Sequence, residues 1–319
     1  MRKCTKVVSV LAVLGTLALS GCGAQSAQTT QESGNTSAKL ADNLAFPVTL
    51  TDDLGHKVTI SKQPHHIAST TEGTDEILSA LVPKSDIAMV TQYATQPNFS
   101  NITSFAKGIP DIGDANAEQI IAVHPDLVLL ASYTKPGIVT QIEQAGISAY
   151  EFADFNSISD IEKNIKIVGK MVGNETKADK IVQSMNTQLK DIADSVKGQK
   201  KLSVLDYSSF GFAAGSSTTV NDMITSAGAT NAASSLNGWQ KITDEEVVNL
   251  NPSVIIDASN DKGFTTKIMQ DPALKTVSAV KNHRVYELNG ADMTSVSQYI
   301  VGGVRDLTKV LYPSLKISK

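Results

Sequence analysis

Two glutamates occupy the same position in a motif that the chain contains twice. The segment 116–129 is matched by the segment 243–256, and Glu118 and Glu245 are the corresponding acidic residues, 127 positions apart. A single carboxylate in the first turn of a helix interacts favourably with the helix dipole, which is a purely structural reason for its presence. A matched pair instead favours a shared role on the surface, where carboxylates form ion pairs with cationic groups.

The repeated motif predicts a helix followed by a buried strand. Asn116 and Thr243 are suited to cap a helix, and Gln or Glu three positions later completes a capping-box pattern. Pro125 and Pro252 end the helices, and the apolar run that follows each proline indicates a buried strand. Because the two copies lie far apart, they predict two similar lobes.

Few patterns in the chain support catalysis. It has no nucleophile elbow, no phosphate-binding loop and no dinucleotide-binding glycine motif. The adjacent pair His65 and His66 could touch a metal, although a solvated pair is the simpler interpretation. No spacing typical of a zinc site is found among the five histidines, which are His56, His65, His66, His124 and His283. We therefore expect no metal site, no cofactor and no enzymatic activity.

Aromatic and small polar residues follow several of the predicted strands. In open α/β sheets, ligands bind beyond the carboxyl ends of the strands. Aromatic side chains at such a place offer rigid apolar area to a bulky flat or caged ligand, although each of them alone could be a packing residue. The candidate ligand contacts are Thr70, Thr71, Glu72, Tyr93, Tyr133, Phe210, Phe212, Trp239, Met293 and Ser295.

The N-terminus has the organisation of a secretory signal. Cationic residues precede an apolar run of 13 residues at 7–19, shorter than the roughly 20 residues that a spanning helix needs. Residues 19–22 resemble the lipobox of bacterial lipoproteins, which implies that residues 1–21 are removed and that Cys22 carries a lipid. An ordinary signal peptide with an incidental cysteine is the alternative. Once Cys4 is removed, the mature chain cannot form an internal disulfide.

A polar linker follows the signal. Residues 22–45 are rich in Gln, Ser, Thr, Ala and Asn without apolar periodicity, so they predict a flexible linker. Loss of residues 1–21 removes three of the 28 cationic residues, which leaves 25 Lys and Arg against 32 Asp and Glu, a net charge of −7. This balance argues against nucleic acid as a partner and against direct binding to anionic lipid.

The folded body alternates strand and helix patterns. Such alternation predicts the α/β class with a mostly parallel sheet covered on both sides. We expect an N-terminal α/β lobe at 46–155, connecting helices at 156–198 and a C-terminal α/β lobe at 199–319. The second connecting helix, Glu175–Val196, has 22 residues. At 1.5 Å per residue it would be about 33 Å long, enough for a stiff spine between two lobes.

The chain resembles the iron-siderophore and cobalamin solute-binding proteins of bacterial ABC importers. The likeness covers residues 46–313. It depends on the order and spacing of the segments Ile67–Ile77, Asn116–Ile120, His124–Val128, Gly238–Trp239, Asn251–Pro252 and Val280–Tyr286. It implies a class III periplasmic-binding fold, in which two Rossmann-like lobes are joined by a long rigid helix and the ligand binds in a shallow cleft between them.

The resemblance also implies partners for the matched glutamates. Glu118 and Glu245 would contact arginines of a membrane permease, which works with a cytoplasmic ATPase. Cobalamin-binding members are similar at Tyr93, Phe212 and Trp239, where they too have aromatic ligand contacts. The transported ligand would be a ferric siderophore, haem or a corrinoid.

The chain departs from its relatives at two places. Many relatives have arginines in the segment that matches Ser295–Tyr299, so we add Tyr299 to the candidate ligand contacts. Glu72 stands where relatives commonly have proline. The mature chain has only two arginines, Arg284 and Arg305. Because anionic chelates usually need guanidinium partners, a neutral or cationic ligand, such as a hydroxamate chelate or a corrinoid, is the better fit.

Three functions are weighed. The first is a monomeric, membrane-anchored binding protein that captures a metal chelate outside the cytoplasmic membrane and delivers it to an ABC permease. The second is an extracytoplasmic metal-dependent enzyme, for which the expected cluster of His, Asp and Glu is not evident. The third is a ligand-sensing lipoprotein without a transporter, which the sequence separates poorly from the first.

Overall fold

Strands and helices alternate along the chain and build two α/β lobes. The computed structural model describes residues 46–258 and 263–317, all of them within one compact unit, Asp42–Lys319. The signal, the linker and Cys22 lie outside the described residues. None of the described helices is long and apolar enough to cross a membrane.

The first lobe consists of a hairpin, a parallel sheet and the helices that cover it. Its elements are β1 Val48–Thr51, β2 Lys57–Ile60, β3 Ile67–Ser69, α1 Glu72–Leu81, β4 Ile87–Thr91, α2 Thr103–Ala106, β5 Asp111–Ile112, α3 Ala117–Ala122, β6 Leu127–Ala131, α4 Pro136–Gln144 and β7 Ser148–Phe152. Five strands form a parallel sheet in the order β5–β4–β3–β6–β7. All residues of β4 and β6 are buried, because helices cover both faces of such a sheet.

Two helices connect the lobes. They are α5 Ile158–Met171 and α6 Glu175–Ser195. Ser157 caps α5 by accepting a hydrogen bond from the backbone N–H of Asp160. The break between the helices falls at Gly173, where a φ of 71° favours glycine. With 21 residues, α6 is about 31 Å long, close to the predicted spine.

The second lobe repeats this plan with a smaller sheet. Its elements are β8 Ser203–Asp206, β9 Phe212–Ala214, α7 Thr219–Ser226, β10 Thr230–Asn231, β11 Trp239–Lys241, α8 Asp244–Leu250, β12 Val254–Asp257, α9 Phe264–Gln270, α10 Ser278–Lys281, β13 Val285–Glu287, α11 Gly290–Met293 and α12 Ile300–Leu311. Four strands form a parallel sheet in the order β10–β8–β12–β13. β9 and β11 form a separate antiparallel ribbon.

One apolar core joins the two lobes. It contains buried residues of both sheets together with those of α1, α5, α6 and α12. The opposite face of each sheet packs against its own smaller apolar cluster. A core shared in this way holds the lobes against α5 and α6 rather than leaving them on a flexible linker.

The duplicated motif forms the predicted helix and strand in both lobes. Asn116 caps α3 by accepting from the backbone N–H of Gln119, and Thr243 forms a complete capping box with Glu246 at α8. The last helix, α12, begins at Ile300. The residues before it are engaged in buried hydrogen bonds that are described below.

Candidate functional site

The candidate site begins where the order of the first sheet reverses. The chain moves from β3 to β4 and β5 on one side and then to β6 and β7 on the other, so the reversal lies between β3 and β6. Ser69 at the end of β3 pairs with Leu129 of β6, and the Thr70 N–H and Oγ1 both donate to the Leu129 carbonyl, at 3.1 and 3.0 Å. Crevices at such a reversal are the usual ligand sites of open α/β sheets.

A cavity of about 470 Å³ opens at this reversal, which is a size typical of small-molecule sites. Predicted contacts Thr71, Glu72, Tyr93 and Tyr133 line it. It is also lined by Gly73, Thr74, Ile77, Phe99, Ala131, Phe152, Phe155, Asn164, Thr294 and Val296. Thr294 and Val296 belong to the second lobe, so the cavity lies between the lobes.

Two aromatic pairs shape this cavity. Tyr93 and Phe99 meet edge to face with ring centroids 5.5 Å apart, and Tyr133 and Phe155 meet edge to face at 6.4 Å. The sequence analysis missed Phe99, Phe152 and Phe155. Phe152 and Phe155 could have been found, because Phe152 ends β7 and Phe155 follows that strand. The other candidates were chosen because they follow predicted strands in the same way.

A second cavity of about 580 Å³ adjoins the first, with which it shares Thr71, Glu72, Tyr93 and Tyr133. Predicted contact Thr70 lines it, as do Asp114 and Lys135. Five of the eleven predicted contacts therefore meet at one end of the first sheet. The first cavity is mainly apolar and aromatic, and the adjoining cavity is more polar.

Three acidic side chains lie at the start of α1. Burial, and then the charge of Glu76, raise the pKa of Glu72 to about 9. The Glu72 Oε1 atom is buried and has no hydrogen-bond partner among the described residues. Burial also raises the pKa of Asp75 to about 7, although Asp75 Oδ2 accepts from Thr91 N and Oγ1 at 2.9 and 2.7 Å. At neutral pH Glu72 is therefore protonated and can offer a hydrogen bond into the cavity.

The third acid, Glu76, connects the lobes. It is completely buried, and its Oε1 accepts from the backbone and side-chain amides of Asn101 at 2.9 and 3.1 Å. Its Oε2 accepts from the hydroxyls of Ser295 and Ser297 at 2.7 and 2.5 Å. The backbone carbonyl of Glu76 also accepts from Gln298 Nε2 at 2.9 Å. One carboxylate thus receives four hydrogen bonds, two from each lobe.

Close packing accompanies this hydrogen-bond network. Gly73 on α1 faces Val296 of the second lobe so closely that a Cβ at position 73 would collide with it. Asn101 Nδ2 also donates across the interface to the Ala291 carbonyl at 3.1 Å. The two lobes therefore meet through a closely packed, hydrogen-bonded contact directly beside the cavity.

The second lobe presents aromatic residues on its ribbon. Trp239 pairs with Ala214, and Lys241 pairs with Phe212, so Phe212 and Trp239 share one face of the ribbon. Trp239 is 50% exposed, and Phe210, in the turn before β9, is also exposed. The sequence analysis placed Trp239 on a loop, whereas it begins β11. Phe210, Phe212 and Trp239 line neither of the two cavities described above.

Three predicted contacts lie away from the cavity. Met293 and Ser295 are each only 1% exposed, so they cannot touch a ligand in this conformation, and Ser295 is occupied by Glu76. Tyr299 lines a groove between α6 and α12 instead. Burial, followed by the charge of Glu76, raises its pKa. Met293 and Ser295 were predicted to contact the ligand because they follow β13 in sequence. That prediction did not anticipate that this segment is buried in the interface between the lobes.

The matched glutamates lie at equivalent places in the two lobes. Glu118 and Glu245 are exposed in the first turns of α3 and α8. Neither carboxylate has a hydrogen bond or ion pair within the part of the chain that the structure describes. Each of these helices runs back from the carboxyl edge of its parallel sheet to start the next strand. Both glutamates therefore lie toward the carboxyl edge, where the first lobe forms its cavity.

Comparison with known proteins decides what kind of molecule this is. The family model described as periplasmic binding protein matches residues 67–291. The chain is 31% identical, over 94% of its length and 95% of the relative's, to an uncharacterised ABC transporter substrate-binding lipoprotein, YvrC, of Bacillus subtilis. The chain belongs to the periplasmic binding protein family.

Further relatives place the chain among solute-binding proteins. It is 25% identical to a cobalamin-binding protein of Halobacterium salinarum over 66% of this chain and 58% of that protein. A possible iron-binding, periplasmic solute-binding protein of Staphylococcus epidermidis superposes with a TM-score of 0.69 at 25% identity, covering 79% of this chain and all of that one. The predicted family, its two-lobed α/β fold and the solute-binding function are confirmed.

Proposed function

We propose that this periplasmic binding protein captures a bulky, neutral or cationic metal chelate outside the cytoplasmic membrane and delivers it to an ABC permease. A corrinoid or a ferric hydroxamate has these properties. The observation that carries the proposal is the aromatic cavity at the strand reversal, which lies between two lobes held in a fixed contact. Such a cavity suits a rigid, largely apolar ligand that needs little closure of the lobes.

The charges around the cavity support this ligand class. None of the described residues that line the 470 Å³ cavity is lysine or arginine. The two mature arginines are used elsewhere, since Arg284 donates to the Leu311 carbonyl and Arg305 to Gln188. Among the described residues, Glu72 is the acidic residue that lines this cavity. An anionic catecholate or citrate complex would find no guanidinium there, whereas a neutral or cationic chelate meets no repulsion.

Delivery would use the matched glutamates, and the protein would be held at the membrane by lipid on Cys22. Glu118 and Glu245 are exposed and lack internal partners, which leaves their carboxylates available for arginines of a permease. Exposed ion pairs contribute only about 0.2–1 kcal/mol each. Contacts of that strength suit a partner that must bind and release.

Ligand binding is tested by titration of the full-length chain with cyanocobalamin, a ferric hydroxamate, haem and a ferric catecholate, following Trp239 fluorescence. We expect saturable binding of cyanocobalamin or the hydroxamate and at least tenfold weaker binding of the catecholate. Tighter binding of the catecholate would refute the proposed ligand class. Failure of all four probes to bind would remove metal chelates from the function.

Docking is tested by charge reversal, with Glu118→Lys and Glu245→Lys combined. The matched control combines Glu143→Lys and Glu287→Lys, which alters one exposed glutamate in each lobe. We expect the first pair to abolish ligand uptake by cells that carry the cognate permease while ligand affinity stays unchanged, and the control pair to transport normally. Equal transport by the two double variants would refute the docking role.

A further inference from the structure

A cluster of possible metal ligands lies in the first lobe, away from the cavity. Asp52 and His56 flank the turn of the β1–β2 hairpin, and Glu151 belongs to β7. Each residue offers one ligand atom, and these three atoms lie within 4.8 Å of one another. The sequence analysis predicts no metal site, because neither the spacing of the histidines nor a cluster of His, Asp and Glu along the chain indicates one. Glu151 is 95 positions from His56, and only the fold brings them together.

The hairpin turn holds Asp52 in place for this role. Asp52 Oδ1 accepts from the backbone N–H groups of Leu54 and His56 at 3.0 and 2.7 Å, which fixes the turn. Its Oδ2 faces His56 Nδ1 at 3.2 Å. The hairpin is anchored on β7, because the Asp53 N–H donates to the Glu151 carbonyl at 3.2 Å. The hairpin turn and β7 are therefore held together by hydrogen bonds before any ion binds.

Glu151 is the residue that calls for a ligand. It is only 5% exposed, yet its carboxylate accepts no hydrogen bond within the described residues. The His56 imidazole lies close to it, with Nδ1 3.9 Å from Glu151 Oε2. Burial, and then the charge of Asp52, raise the pKa of Glu151. A largely buried carboxylate without hydrogen-bond donors is costly unless it is paired, reaches solvent or coordinates a metal. The only ion pair of Glu151 among the described residues is the long 3.9 Å contact with His56.

We infer that Asp52, His56 and Glu151 bind a divalent transition-metal ion through one imidazole nitrogen and two carboxylate oxygens. With bonds of about 2.0–2.2 Å, tetrahedral Zn²⁺ holds neighbouring ligand atoms roughly 3.4 Å apart. The observed separations of 3.2 and 3.9 Å lie on either side of that value. His56 is largely exposed, so water can enter and complete the coordination. Ca²⁺ and Mg²⁺ fit less well, because they prefer six or more oxygen ligands.

The ion would stabilise the fold and would not be the transported cargo. Phe152 lines the ligand cavity, and its neighbour Glu151 points to the opposite face of β7 because successive strand residues alternate. A metal at the cluster would connect the hairpin turn to β7 across a long stretch of chain. Closing a long loop in this way reduces the conformational entropy of the unfolded chain.

The test uses tag-free, full-length chain, with Zn²⁺ binding measured by calorimetry and thermal unfolding followed with and without the ion. We expect one Zn²⁺ per chain and a higher Tm, since a ligand at 100 times its Kd stabilises by about 2.7 kcal/mol. His56→Ala and Glu151→Gln should each weaken binding at least tenfold, because even residues that only orient metal ligands change affinity about 10–100-fold. Co²⁺ in place of Zn²⁺ should give a visible absorption band that both variants lose.

His65→Ala is the matched control. His65 is 64% exposed and pairs with Asp86 at 3.1 Å, as His56 is 62% exposed and pairs with Asp52 at 3.2 Å, but among the described residues the His65 ring forms no ion pair with a second carboxylate. The control should bind Zn²⁺ like the wild type. Absence of stoichiometric binding, or equal binding by His56→Ala, would overturn the inference and leave His56 as a side chain that contacts two carboxylates without binding a metal. Because His56 is exposed, its variant decides the question even if Glu151→Gln fails to fold.

Discussion

In the first lobe the strands at the reversal of the sheet, β3 and β6, end beside an open cavity, whereas in the second lobe the corresponding strands, β8 and β12, end in buried aspartates. Asp206 and Asp257 are almost completely inaccessible. Burial, and then the charge of Asp257, raise the pKa of Asp206 to about 7. The two sheets share a parallel plan and a duplicated motif, yet only one of them opens at its reversal.

The ribbon explains part of this difference. In the second lobe β9 and β11 follow the carboxyl end of β8, and Tyr207 beside them is buried and donates to Asp244 Oδ1 at 3.3 Å. In the first lobe the same position is taken by the short Thr70–Thr71 connection into α1. Strand order therefore marks the reversal of each sheet as a possible ligand site. The segment that follows the strands at each reversal decides which of the two sites admits a ligand. The second lobe contributes Thr294 and Val296 to the lining of the first cavity. The aromatic face of its ribbon is exposed and lines neither cavity.

The largest effect is expected where the two lobes are joined. Glu76→Ala removes a buried carboxylate and with it the acceptor of four hydrogen bonds from Asn101, Ser295 and Ser297. We expect the free energy of unfolding to fall by about 3 kcal/mol or more, measured by urea denaturation. Glu143→Ala, at an exposed glutamate of the first lobe, is the control and should change it by less than about 0.5 kcal/mol. Similar stability of the two variants would show that the lobes do not depend on this contact.

A smaller effect is expected from the aromatic walls. Tyr133→Ala, in the first lobe, should weaken binding of the best ligand by about 2 kcal/mol, or roughly 30-fold, as truncation of a central aromatic contact does. Trp239→Ala, on the ribbon, should weaken it by about 1 kcal/mol, because this ring lines neither cavity. Titration calorimetry of both variants checks the comparison. A greater loss at Trp239 would mean that the second lobe provides the main wall.

The last comparison separates the buried acids of the two lobes by pH. A carboxyl whose pKa is raised by folding adds stability below its unfolded pKa, and that stability is lost as pH rises through the folded pKa. For Glu72 this window runs from about 4.5 to about 9, and for Asp206 from about 3.8 to about 7. Between pH 7 and 9, the Tm of the wild type should therefore fall more than the Tm of Glu72→Gln. Each kcal/mol lost from the free energy of unfolding lowers the Tm by about 2–4 °C. The Tm of Asp206→Asn should follow that of the wild type over this range.

Ligand sharpens this last comparison. Saturating cyanocobalamin, or whichever chelate binds, should change the pH dependence that Glu72 contributes, because Glu72 faces the cavity. It should leave the part contributed by Asp206 unchanged, because that carboxyl is enclosed. The contribution of Asp206 to the pH dependence of the Tm is measured as the difference between wild type and Asp206→Asn. If ligand changed this contribution, the second lobe would also have to open.

Much of the fold follows from local signals in the sequence. The caps at Asn116 and Thr243, the apolar strands and the break at Gly173 each depend on nearby residues, so pattern alone locates them. The ribbon was missed because β9 and β11 have three residues each, too few to show alternation. The roles of Glu76, Ser295 and Glu151 were missed because their partners lie far away in sequence. Such contacts are set by packing, which a single sequence does not reveal.

The four hydrogen bonds on Glu76 have a kinetic consequence. If the lobes already stand at their working separation, a ligand meets a finished binding surface, and association needs no slow rearrangement. The same fixed geometry leaves the empty and loaded forms nearly alike on the outside. A membrane partner that must recognise loaded molecules would then have to sense the bound ligand itself, or force the lobes apart, to distinguish a useful encounter from a futile one.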